Sequence, residues 1–271
     1  MTTAQKCIKY CAIALAILLI VSIFTGILTG ITSLLYLFGG SDSEMPTDMQ
    51  EIYTGDVPRA LDMEIRAAAV RIQQGEKFSV SSNHKKIVAK LDGDTLEIED
   101  KRNGVSVGAE DAAILITIPE DAVFKAFSLE IGAGDIDIAS LTANTIELDI
   151  GAADFTAEYL SAKTRIDADL GAGNFRLASG YLCMPDFDLG VGKTALTATM
   201  IGEGDFDCGV GDLALTVYGA PSSYTVYTNR GIGRFSVDGE SVSDGDVIGS
   251  GENTLRISGG IGNVDVSFLQ D

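Results

Sequence analysis

Nine carboxylates recur through the middle of this 271-residue chain at a spacing that could bring them together. Glu130, Asp149, Asp169, Asp188 and Asp207 each stand two residues before a glycine, and Glu147, Asp167, Asp186 and Asp205 stand four before one. If the segments that carry them stack as strands, equal positions fall ~4.8 Å apart and the acids form two parallel columns. Two unit charges at that distance repel by roughly 1 kcal/mol in bulk water, before salt screening. Such columns could hold calcium or another cation weakly, or dock a basic partner. The plain alternative is a solvated face that keeps an apolar coil soluble and blocks sideways aggregation. Tight calcium sites are not expected, because the calcium-binding nonapeptide of toxin β-rolls is absent.

Other chemistry finds less support. The segment GVGKT at 190–194 has part of a phosphate-binding loop, but the pattern needs a glycine five residues before Gly192, where Phe187 stands. The segment is read as an ordinary corner, so no nucleotide is expected. His84 is the only histidine and lies in the polar stretch NHKK, where an exposed loop residue is expected. No HExxH, CxxC or EF-hand pattern occurs. A polysaccharide-cleaving use of the acids would need a basic partner in a groove built by long insertions, and the repeats are short and regular. No enzyme, catalytic residue or cofactor is expected. Cys208 occupies a slot that Ile131, Ile150, Leu170 and Leu189 hold elsewhere, and reads as a small buried hydrophobe.

The elements that must position the acids are marked by glycine. The phrases LEIGAGDIDI, LDIGAADFTA, ADLGAGNFRL, FDLGVGKTAL and FDCGVGDLAL place leading glycines at Gly132, Gly151, Gly171, Gly190 and Gly209, with steps of 19, 20, 19 and 19. Three and one residues before each glycine, and four and six after it, the side chains are mostly apolar. That period of two marks a strand with one buried face on each side of the glycine. The second glycines, Gly134, Gly173, Gly192 and Gly211, suit a corner with positive φ. Asp135, Asp154, Asn174 and Asp212 follow them, residue types that favour tight turns. A period this short indicates stacked coils, an all-β parallel β-solenoid of roughly 19–20 residues per coil. MEIRAAAVRI at 63–72 fits the same template with Arg66 at the glycine position. NRGIGRFSV at 229–237 and SGGIGNVDV at 258–266 fit it with longer spacers, and DGESVSDGD at 238–246 reads as a hairpin or loop. The looser strands between 76 and 124 are expected to extend or cap the open edge.

The rest of the chain sets the context. Residues 12–38 carry no charge and include a 26-residue apolar run, enough to span ~30 Å of hydrocarbon. The run exceeds a cleavable signal core, so a retained transmembrane helix is expected. Lys6 and Lys9 precede it and acids follow it, which places residues 1–11 in the cytoplasm and everything after about residue 40 outside the cell membrane. Residues 39–58 read as a linker and 59–271 as the solenoid. The net charge is −20, and −22 beyond residue 40. That excludes ordinary nucleic-acid binding and favours a cationic protein or envelope partner.

The chain resembles the bacterial putative-adhesin family, a domain of unknown function built of glycine-marked β-strand repeats. The residues that carry the resemblance are LDMEIRAAAVRIQQGEKFSV (61–80), IPEDAVFKAFSLEIGAGDIDI (118–138), GAPSSYTVYTNRGIGRFSVDGE (219–240) and ENTLRISGGIGNVDVSF (252–268). The resemblance implies a membrane-anchored envelope protein and supplies no catalytic residues. The expected function is a non-enzymatic, adhesin-like or scaffold module displayed outside the cell. The alternative is an envelope-stress or regulatory component whose acidic face binds cations or a basic partner.

Overall fold

The computed structural model describes residues 45–102 and 112–270. The expected tail at 1–11 and the transmembrane run at 12–38 lie outside the described residues. Among those described, no helix is long and apolar enough to cross a membrane.

The described chain is all-β. In order it forms β1 (Gln50–Gly55), β2 (Ala60–Gln74), β3 (Phe78–Ser82), β4 (Ile87–Asp92), β5 (Thr95–Asp100), β6 (Ala113–Ile118), β7 (Phe124–Ile138) and β8 (Leu141–Cys183). There follow β9 (Pro185–Ile201), β10 (Glu203–Tyr218), β11 (Tyr224–Asn229), β12 (Phe235–Val237), β13 (Glu240–Ser241), β14 (Val247–Gly249), β15 (Asn253–Ser258) and β16 (Val264–Leu269). They join in one largely parallel sheet. β2, β7, β8, β9 and β10 stack in sequence order, with Ile136 opposite Phe155, Phe175 opposite Thr194, and Thr194 opposite Leu213. Each of these partners is one repeat away, which is the register a solenoid requires.

The expected strand–corner–strand unit differs in one respect: the strands run through the corner. Pairing skips only the leading glycine, from Ile131 opposite Ile150 to Ala133 opposite Ala152, so the ladder resumes in the same register beyond the bend. Where a corner has two glycines they have different reasons, and the corner at 151–153 has only the first, with Ala153 in the second place. Gly192 has φ 149°, which L side chains resist, and a Cβ there would overlap the carbonyl oxygen of Gly173. Gly190 needs no unusual φ, but its Cβ would collide with the Gly171 carbonyl beneath it. Gly134, Gly173 and Gly211 repeat the first case, and Gly132, Gly151, Gly171 and Gly209 the second. In β2 the corner positions are Arg66 and Ala68. There the buried Asp100 takes the place of a neighbouring coil: its Oδ2 accepts from Arg66 N at 3.3 Å, while Arg102 donates to the Ala67 carbonyl. Burial alone would raise the Asp100 carboxyl, but hydrogen bonds from the Arg102 side chain and from the Arg102 and Arg66 amides hold it below the usual range.

The core lies inside the coils, and its volumes compensate along the stack. Coil by coil, the large residue sits on one side of the corner or the other: Leu148 with Phe155, Ala168 with Phe175, Phe187 with Thr194, and Phe206 with Leu213. All eight are buried. Phe155 and Phe175 stack with centroids 4.3 Å apart, Phe187 and Phe206 with centroids 5.5 Å apart, and Phe175 meets Phe187 edge-on where the column changes sides.

The looser strands act as expected. β5 and β6 lie parallel on the two halves of β2 and extend the stack, while β3 and β4 pair antiparallel and close it. β1 lies inside the 39–58 stretch expected to be a linker. It pairs with β3, and Tyr53 packs edge-on against Phe78 at 5.9 Å, so the sheet begins before residue 59. Two apolar residues in six gave little strand pattern there. At 238–246 a hairpin forms, with Val237 opposite Glu240 across the Asp238–Gly239 turn.

The corner geometry predicts that Gly192→Ala costs about 3 kcal/mol or more, since backbone strain and a clash with backbone add. Gly239→Ala, at a turn where a Cβ would meet nothing within 4 Å, costs less. Urea denaturation of the two variants checks this, and equal losses would contradict it.

Candidate functional site

The carboxylates expected to form columns do so. In the first column Glu130 lies opposite Asp149, and Asp169, Asp188 and Asp207 lie opposite one another in turn. Gly171 sits directly against Gly151, which joins the two halves. In the second, Asp167, Asp186 and Asp205 are in register, and Glu147 precedes them by the same 20-residue step. The first column is longer than expected. Glu130 pairs with Glu64, and Glu64 with Glu99. The template match at 63–72 already placed Glu64 two residues before the corner, so that member was readable. Glu99 was not, because its strand lacks the corner.

The columns differ in how their charge is balanced. Arg165 Nη2 lies 2.9 Å from Asp167 and 2.7 Å from Asp186. Arg256 Nη1 lies 3.9 Å from Asp205 and 3.3 Å from Glu203, with its guanidinium over the Tyr227 ring at 5.8 Å. The second column is therefore largely ion-paired and leaves less free charge for a cation or basic partner than the first. Arg165 was hidden because it sits outside the repeated phrase, and Arg256 because it comes from a distant coil. In the first column, Glu130, Asp149, Asp169, Asp188 and Asp207 have no basic group within ion-pair distance among the described residues. Asp188 is exposed, yet limited desolvation and then the charges of Asp169 and Asp207 push its carboxyl above the usual aspartate range.

The bare glycines beside this column leave an open trough of about 480 Å³, lined by Asp149, Asp169, Asp188 and Asp207 and floored by Gly151, Gly171, Gly190 and Gly209. Leu170, Leu189 and Cys208 reach its floor and are half-buried, whereas Ile131 and Ile150 in the same slot are buried. Cys208 is thus less enclosed than expected. Burial and the neighbouring Asp207 push its thiol up to about 11, which leaves little nucleophilic thiolate at neutral pH. Behind the corner, the interior gap is about 30 Å³, room for about one water and no substrate.

The remaining candidates resolve simply. In GVGKT, Gly192 is a corner, Lys193 lies between Asn174 and Asp212 in the outward column, and Thr194 is buried in the core. The Asp and Asn residues after the corner act between coils, not within a turn: Asp154 Oδ1 accepts from Asn174 N at 2.8 Å and Asp212 Oδ1 from Asn263 N at 3.0 Å. His84 is half-buried, and its Nδ1 accepts from Lys86 N at 3.1 Å to close the β3–β4 turn. Among the described residues, no group of three or more His, Cys, Asp or Glu side chains is arranged to hold a metal ion.

The model of the family described as Toastrack DUF4097 matches residues 59–247, so the chain belongs to that family. No curated protein matches it. Among solved structures it is similar to a putative cell adhesion protein from Clostridium sporogenes, at 16% identity over 82% of this chain and 98% of the other, with a TM-score of 0.35. It is also similar to a putative adhesin from Bacteroides fragilis, at 13% identity over 80% and 95%, TM-score 0.34. A third is a putative adhesin from Parabacteroides merdae, at 13% over 83% and 98%, TM-score 0.32.

The crowded column gives a signed prediction for stability. Between the ordinary aspartate value of 3.8 and its raised native value, folded Asp188 binds a proton more tightly than the unfolded chain does. Its ionisation therefore costs stability as pH rises through that window, and the cost is fully present at pH 7. Asp188→Asn should raise Tm at pH 7 in low salt, lose most of the gain in ~1 M salt, and lose it below the window. Calorimetry of both proteins across pH and salt checks this, and a lower Tm for the variant at pH 7 would contradict it.

Proposed function

We propose that this member of the toastrack family is a non-enzymatic, membrane-anchored β-solenoid that works outside the bacterial cell as an adhesin-like or envelope scaffold module. The single observation that carries the reading is where the molecule spends its side chains. The interior is filled, and what remains for contact with other molecules is a long, regular outer wall. The uncharged run at 12–38, with its basic and acidic flanks, supports an anchor with the N-terminus in the cytoplasm. The names of the similar structures, putative adhesins and a putative cell adhesion protein, agree with an exterior role.

A second reading is favoured by the column running from Glu130 to Asp207. A row of carboxylates without basic neighbours fits an envelope-stress or regulatory component that senses cations weakly or holds a basic partner protein.

Fractionation and titration separate the readings. The full chain is expected in the membrane fraction, with residues 45–271 open to protease added outside intact cells. Recovery of the full-length chain in a soluble fraction would sink the anchored module. Calorimetric titration with calcium, magnesium and a cationic peptide should give heat that Asp169→Asn together with Asp188→Asn diminishes. Silence with all three ligands would remove the sensing reading and leave the scaffold one standing.

A further inference from the structure

The C-terminal end of the sheet is out of sequence order. In space β10 is followed by β15 and β16, and only then by β11 and β12. The last coil of the chain has been inserted between two earlier ones. Leu215 lies opposite Val266, and Val266 opposite Val237. On the inner side Leu213 N donates to the Asn263 carbonyl at 2.9 Å and Gly219 N to the Leu269 carbonyl at 2.8 Å. On the outer side Gly259 N donates to the Asn229 carbonyl at 2.7 Å and Val264 N to the Arg234 carbonyl at 2.9 Å.

The outer coil depends on this insertion. Among the described residues, apart from the short strands of its own hairpin region, β13 and β14, β11 pairs only with β15 and β12 only with β16. A direct side-chain tie to the body comes from Tyr224, whose hydroxyl donates to the Tyr218 carbonyl at 3.1 Å. Even the Tyr224 ring packs on Phe268 of the inserted coil, at 5.2 Å.

We propose that residues 252–270 are a clasp: withdrawing this one segment opens residues 220–270 as a unit and bares the edge of β10. Withdrawal removes Leu255, Ile257, Val264 and Val266 from the core and leaves two rows of backbone donors and acceptors without partners. The outer coil then has no sheet to lie on, so its opening free energy is tied to that of the clasp. The uncovered β10 edge is a parallel strand acceptor, which makes the free end of the stack switchable while the repeats from β7 to β9 stay closed. The inference does not rest on the adhesin reading.

Amide hydrogen exchange on the full-length chain tests it with two variants. Deletion of 252–271 should speed exchange in 224–249 by roughly tenfold or more while 129–200 keeps its protection. Unchanged protection in 224–249 would overturn the proposal. Should the deletion not accumulate as folded protein, Thr216→Cys with Ser267→Cys decides. Their hydroxyl oxygens lie 3.3 Å apart across β10 and β16, so an oxidised pair pins the clasp without touching β11 or β12. Pinning should slow exchange in 224–249 together with 253–269. Slowing confined to 253–269 would also overturn it.

Discussion

The leading glycine of each coil, joined in most coils by a second, decides how closely one turn of backbone can lie on the next. At each corner of the central stack a Cβ on the first or second glycine would occupy the space of a carbonyl from the coil beneath, as at Gly190 over Gly171 and Gly192 over Gly173. Glycine lets the ladder skip a single position at the bend and resume beyond it in the same register. Every other regularity follows from that continuity. Side chains at equal positions stay in register, so apolar ones fill a continuous interior and polar ones line up on the wall.

The same constraint produces the surface. A corner position without a side chain leaves a furrow, and the carboxylates two residues earlier become its rim. Register alone would make both acidic columns equally repulsive. The difference between them comes from Arg165 and Arg256, which pair with Asp167, Asp186 and Asp205 four residues from the corner and leave Glu130 to Asp207 in the nearer column without a basic partner among the described residues. The structure therefore keeps one long line of uncompensated charge, with Asp188 raised between Asp169 and Asp207.

How much was legible depended on whether a residue's neighbours were its own repeat mates. The stack, the corner glycines and all nine carboxylates follow from a period of 19 or 20, because in those coils the spatial neighbour is the next repeat. The pairing of Arg256 with Asp205 was not legible, since the two residues stand 51 apart in sequence instead of 19 or 20. The reordering of the last two coils was hidden for the same reason: both segments match the template, and the template carries no order. Arg66 at a glycine position looked like an imperfect repeat. It marks the end of the continuous corners, where Asp100 supplies the contact that a neighbouring coil would make elsewhere.

The central claim is that register places like charges side by side with nothing to offset them, and carboxyl-carbon NMR titration of Asp188 addresses it most directly. The account predicts that Asp188 titrates above the ordinary aspartate range and moves down when Asp169 is replaced by Asn. An Asp188 that titrates in the ordinary range and does not respond to Asp169→Asn would contradict it.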